Sequence, residues 1–118
     1  MDINYTWKIT DLYVAPSENG QTNVVLRASW ELTGTYTAPD GTVYSHSYDS
    51  MTVLPPYQSG NPFTPFEQVT PQDVQSWIEA KENTKKRDIA WIKTNKIVAG
   101  IQEKINPTVV MIKNWANQ

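Results

Sequence analysis

Pro65-Phe66-Glu67-Gln68-Val69-Thr70-Pro71-Gln72-Asp73-Val74-Gln75-Ser76-Trp77-Ile78 is where the chain changes character. Thr70 stands as an N-cap, Pro71 occupies the first helical position, and Asp73 completes a capping-box-like pair. Val69 before the cap and Val74 after it have the spacing of a hydrophobic staple. The spacing therefore predicts a helix over 71–82. Upstream of it the apolar residues alternate with period two, as in strands. Downstream they recur with helical period as far as Asn106.

Working back from that junction, residues 55–69 interleave Pro55, Pro56, Pro62 and Pro65 with Tyr57, Phe63 and Phe66. Proline fixes φ and removes a donor, so this is a crossover that is neither strand nor helix. Three strands are expected before it. In the first, Ile3, Tyr5, Trp7 and Ile9 share a face; Leu12 and Val14 then switch parity, which predicts a bulge near Asp11. Residues 15–21 read as a turn. The second strand, 22–36, alternates most cleanly, with Val24, Leu26, Ala28, Trp30 and Leu32 expected in the core. Ala38-Pro39-Asp40-Gly41 is a tight turn. The third strand, 42–54, sets Tyr44, His46 and Tyr48 against Val43, Met51 and Val53.

Working forward, the first helix carries Val74, Trp77, Ile78 and Lys81 on one side. Asn83-Thr84 is a break with Thr84 as the next cap, and a second helix spans 85–105. Its main stripe is Trp91, Thr94, Ile97, Val98, Ile101 and Ile105; Ile89 and Ile92 lie off it, so more than one side is buried. Asn106-Pro107 stops the helix. The reading is α+β, a three-stranded antiparallel β-meander followed by a C-terminal helical pair. The 118 residues form one domain: meander 1–54, crossover 55–69, helical pair 70–106, apolar tail 107–118.

Composition narrows the function classes. Without cysteine there are neither disulfides nor thiolate metal sites. A net charge of −2 argues against a generally basic nucleic-acid binder. The N-terminal residues lack the features of a signal peptide, and no run reaches transmembrane length. His46 is the single histidine, and Ser45 and Ser47 beside it point to the opposite face of the strand, so no triad is expected. Asp11, Glu18, Glu31, Asp40 and Asp49 are scattered through strands and turns without the pairing a glycosidase needs. The glycines form no phosphate-cradling loop. Lys81, Lys85, Lys86 and Arg87 read as a solvated helix end, with no stacking aromatic identified beside them. No catalytic residue, cofactor or metal is expected, and no small-molecule substrate, specific nucleic acid or membrane. The residues best suited to hold a partner are the aromatics and aliphatics of irregular segments: Tyr57, Phe63, Phe66, Val109, Val110, Met111, Ile112 and Trp115.

Four stretches carry a resemblance. Thr6-Trp7-Lys8-Ile9-Thr10-Asp11-Leu12, Arg27-Ala28-Ser29-Trp30-Glu31-Leu32-Thr33, the proline–aromatic approach Phe63–Thr70 running on to Trp77-Ile78, and Asn106-Pro107-Thr108 together resemble a family of small bacteriophage-encoded, virion-associated or hypothetical proteins. The tail Val109–Trp115 and the basic Lys85-Lys86-Arg87 depart from that pattern. The resemblance implies a non-enzymatic structural or accessory protein of a capsid or tail, made in the host cytoplasm and found in the virion. Its implied partners are other virion proteins or copies of itself. The alternative is a non-virion phage accessory protein that binds a host protein.

Overall fold

The computed structural model describes residues 1–55, 57–110 and 112. The fold is α+β: a three-stranded antiparallel sheet in the order β1-β2-β3, followed by the helices. The strands are β1 (Asn4–Glu18), β2 (Gln21–Thr37) and β3 (Val43–Val53). The first two are longer than the sequence pattern suggests. Asn19 and Gly20 alone make the turn between them, with φ of 48° and 85°. This two-residue geometry matches the twist of paired strands, and Asn-Gly is its preferred sequence. The turn expected over 15–21 is thereby corrected to two residues. Pro16 is tolerated because β1 is an edge strand. Between β2 and β3, Gly41 N–H donates to the Ala38 carbonyl at 2.9 Å and Thr42 N–H to Asp40 Oδ1 at 2.9 Å.

The predicted bulge is present: the β1–β2 register slips between Ile9 and Asp11, which returns Leu12 to the face shared by Ile3, Tyr5, Trp7 and Ile9. A second irregularity lies between Tyr13 and Val14 and leaves Leu26 of β2 without a partner in the register. Leu26 is half-buried, and Val25 joins Val24 in the buried set instead. The expected burial of Leu26 is corrected on that account. Ala28, Trp30 and Leu32 are buried as expected. Trp30 packs between Trp7, 5.0 Å away centroid to centroid, and Tyr48, 5.9 Å away. On β3, Tyr44, His46, Tyr48 and Thr52 are the more buried residues, while Val43, Met51 and Val53 are exposed.

Helix α1 (Pro71–Glu82) begins as the sequence dictates. Thr70 Oγ1 accepts from Asp73 N–H, Asp73 Oδ2 accepts from Thr70 N–H, and Pro71 sits at the first turn. Its buried residues are Val74, Ile78 and Glu82, a four-residue repeat. Trp77 and Lys81, on the same side by sequence, are half-buried. The last buried position is a carboxylate, and a chain of hydrogen bonds makes that tolerable. Trp30 Nε1 donates to Thr52 Oγ1 at 2.8 Å, Thr52 Oγ1 donates to Glu82 Oε2 at 2.7 Å, and Lys85 Nζ lies 3.1 Å from the same oxygen. Among the described residues no buried side-chain nitrogen or oxygen lacks a partner.

The second helical run starts at Ile89, not at 85. Asp88, not Thr84, is its cap, accepting from Trp91 N–H at 2.9 Å. Asn83 Oδ1 accepts from Ile89 N–H, and the Thr84 hydroxyl donates to the Lys81 carbonyl instead of capping. The run comprises α2 (Ile89–Ile92), a π-helical segment Lys93–Val98, and α3 (Ala99–Ile105), with helical backbone throughout. The π segment resolves the split stripe seen in the sequence. In an α-helix of about 100° per residue, Ile89 and Ile92 point away from Ile97 and Ile101. The wider turn absorbs one residue and brings both pairs to one face. All four are buried, while Thr94, expected on the stripe, is exposed.

This run lies over one register row of the sheet, Tyr5–Gly34–His46. Ile97 rests directly on Gly34, and Gly100 rests on the His46 ring; a β-carbon on either glycine would collide with that neighbour. Lys104 Nζ reaches the Ser45 carbonyl. α1 sits further along, its first turn near Ile9–Leu12 and its last residue at Thr52. The chain is elongated, with a Cα radius of gyration of 19.2 Å; a compact chain of this length has about 13–14 Å.

Candidate interaction surface

The crossover folds back along the start of β2 and the outer flank of α1. Asn19 Nδ2, in the β1–β2 turn, donates to the Tyr57 carbonyl at 2.6 Å, and the Tyr57 hydroxyl donates to the Asn61 carbonyl at 2.9 Å. Phe63 meets the Tyr57 ring edge-on at 5.1 Å. Together they form one wall of an open groove of about 740 Å³, whose floor and far wall include Val24, Val25, Leu54 and Trp77. Among the described residues its polar lining is Asn23, Tyr57, Thr64, Lys81 and Thr84, without a carboxylate or histidine. The rest of the wall is apolar, so an apolar side chain has ample surface to cover.

The tail has a different environment. Glu103 accepts from both the amide and the hydroxyl of Thr108, at 2.8 and 3.0 Å, and so fixes the turn that ends the helix. These bonds hold the Glu103 carboxyl below its ordinary range. Beyond that anchor Val109, Val110 and Ile112 are 85%, 63% and 93% exposed. They leave from the end of the helix that covers Gly34 and His46, whereas the groove is built on Val24 and Val25. These positions are roughly 30 Å apart along β2. Four residues past Thr108 span at most about 14 Å, so Val109, Val110 and Ile112 do not reach the groove of their own chain.

Of the residues singled out from sequence, Tyr57 and Phe63 are therefore brought together. Phe66 opens a single 3-10 turn, Phe66–Gln68, and is 36% exposed. Val109, Val110 and Ile112 stand apart at the far end, and Met111 and Trp115 lie outside the described residues. His46 is a packing residue under Gly100. The carboxylates are less scattered than the sequence suggested: Glu31 stands directly opposite Asp49 on the exposed sheet face, with Lys8 opposite Glu31 on its other side. Among the described residues no group of three or more His, Cys, Asp or Glu side chains could hold a metal ion, and no helix is long and apolar enough to cross a membrane.

A family model described as a domain of unknown function (DUF7936) matches residues 2–115. No curated protein and no solved structure matches the chain.

Proposed function

Since the chain belongs to the DUF7936 family, a domain of unknown function, we propose its role from the surface it presents: a non-enzymatic protein that attaches to a larger assembly. The observation that carries this reading is the tail. Three aliphatic side chains, Val109, Val110 and Ile112, project from a hydrogen-bonded anchor and stay mostly exposed. Leaving such residues in water forgoes on the order of 1.5–3 kcal/mol each relative to burying them. A partner surface is where that free energy is recovered. The assembly proposed is a phage particle, capsid or tail, in keeping with the resemblance of the four stretches above.

Deletion of residues 109–118, which leaves the Glu103–Thr108 anchor in place, tests this reading. The shortened domain is expected to keep its melting temperature while losing its place in purified particles, followed by mass spectrometry. If the intact chain is missing from particles, the virion is not the assembly. If the deletion lowers the melting temperature by many degrees, the tail belongs to the domain's own core.

A further inference from the structure

Five of the ten Lys and Arg residues fall between Lys85 and Lys96, in a chain of net charge −2. Two of them converge on one indole. The Arg87 guanidinium lies 4.8 Å from the Trp91 ring centroid, and the Lys96 ammonium lies 5.8 Å from it. Arg87 precedes the Asp88 cap, so it is the turn into the helix, not helical spacing, that lays it on the Trp91 ring. Lys96 is five residues after it and reaches the same ring because the π segment widens the turn. Lys93, two residues from Trp91, lies 4.5 Å over the Tyr5 ring.

Arg87, Lys93 and Lys96 are held by rings, not by acids. Among the described residues one ion pair forms, Lys85–Glu82. Four cation–π contacts form, where about one per 70–80 residues is usual. The difference matters electrostatically: a carboxylate would cancel the charge it binds, whereas an aromatic ring orients the cation and leaves its field directed outward. Asp88, the one acid inside the segment, is engaged with Trp91 N–H as a helix cap. Clustering like charges costs self-repulsion, which an anionic ligand removes.

We propose that this face binds single-stranded nucleic acid through its phosphates, without regard to base sequence. The proposal is independent of the attachment reading. Phosphates supply closely spaced permanent charges, and the half-buried Trp91 with its stacked Arg87 supplies a flat surface on which an unpaired base can stack. An acidic peptide would answer the charge but make no use of that flat surface.

The test is fluorescence anisotropy of a labelled 20-nucleotide DNA strand of mixed sequence, titrated with the full chain in about 20 mM NaCl and again at higher salt. With three or four phosphates engaged, the affinity should fall with a log–log slope of about −2 to −3. Arg87→Glu with Lys96→Glu, both exposed positions, should weaken binding at least about tenfold at low salt with unchanged melting temperature. Trp91→Leu, which keeps every charge, should weaken single-strand binding with little change in slope. A slope near zero, or charge-reversed protein that binds like the parent, overturns the proposal. So does displacement of the strand by poly-glutamate at equal charge concentration, which would identify an acidic protein as the partner.

Discussion

The indole of Trp30 and the carboxylate of Glu82 share one hydroxyl: Thr52 accepts from the first and donates to the second. Sheet and α1 are thus joined by a polar chain inside an otherwise apolar core. Thr52 itself is fully buried, so no water stands ready to replace it. Thr52→Val fills the space but leaves the Trp30 N–H unsatisfied and takes a donor from Glu82. It should cost about 2–3 kcal/mol by urea denaturation, against under about 1 kcal/mol for Thr52→Ser. Equal effects of the two would mean that the hydroxyl is not the link.

The capping box gives a second expectation. Thr70→Ala removes the acceptor for Asp73 N–H and should lower stability by about 1 kcal/mol. The measurement is the denaturant midpoint at constant m-value.

Gly34 is the point of closest approach between the layers. Gly34→Ala should destabilise by about 1–3 kcal/mol, because its β-carbon meets Ile97 and Ile3. Adding Ile97→Ala, which removes the colliding Cγ2, should recover part of the loss, although Ile97→Ala alone is destabilising. Strict additivity in the double-mutant cycle would show that the two residues are not in contact.

Glu103 carries the pH dependence of the tail anchor. Its folded carboxyl titrates below the ordinary range because Thr108 donates to the charged form. A depressed folded value means that the stabilisation is fully present above the unfolded value and is lost as pH falls through the folded one. The Thr108 amide resonance should therefore shift with a midpoint below that of a free glutamate. In Glu103→Gln that acid step should vanish.

The π segment makes an unusual prediction about length. Deleting Thr94, an exposed residue within it, leaves an α-helix whose two halves keep their relative phase, so stability should change by no more than about 1 kcal/mol. Deleting Ser76 from α1 should instead swing Ile78 and Glu82 about 100° off the core and prevent folding. Circular dichroism melts of the two deletions decide the matter. Unfolding of the Thr94 deletion would mean that the segment holds more than one extra residue.

Those residues also mark how far the fold was legible in advance. The meander, the bulge at Thr10 and the start of α1 follow from local signals, namely parity, turn chemistry and caps, and these survive in the sequence. Glu82 was missed because its burial depends on Thr52, thirty positions away. The helical stripe was read with a period of 3.6, so the Ile89–Ile92 pair looked displaced from Ile97–Ile101; one extra residue in the turn removes the conflict. Asp88 is an N-cap residue type directly before the apolar run Ile89-Ala90-Trp91-Ile92, but the basic run before it drew the helix start forward. The Trp91 ring beside Arg87 was not legible, because Arg87 lies in the bend before the helix start at Ile89. Nor was Lys96, because five-residue neighbours do not exist in an α-helix.

The elongation of the molecule bears on how any association will be measured. A particle that tumbles as an extended body drags more solvent than a compact one of equal mass, so it diffuses slowly and leaves a sizing column early. A monomer with a 19.2 Å radius of gyration will therefore imitate a dimer on a column calibrated with rounder standards. Light scattering or sedimentation equilibrium, which weigh the particle rather than size it, will separate a solitary rod from a true pair.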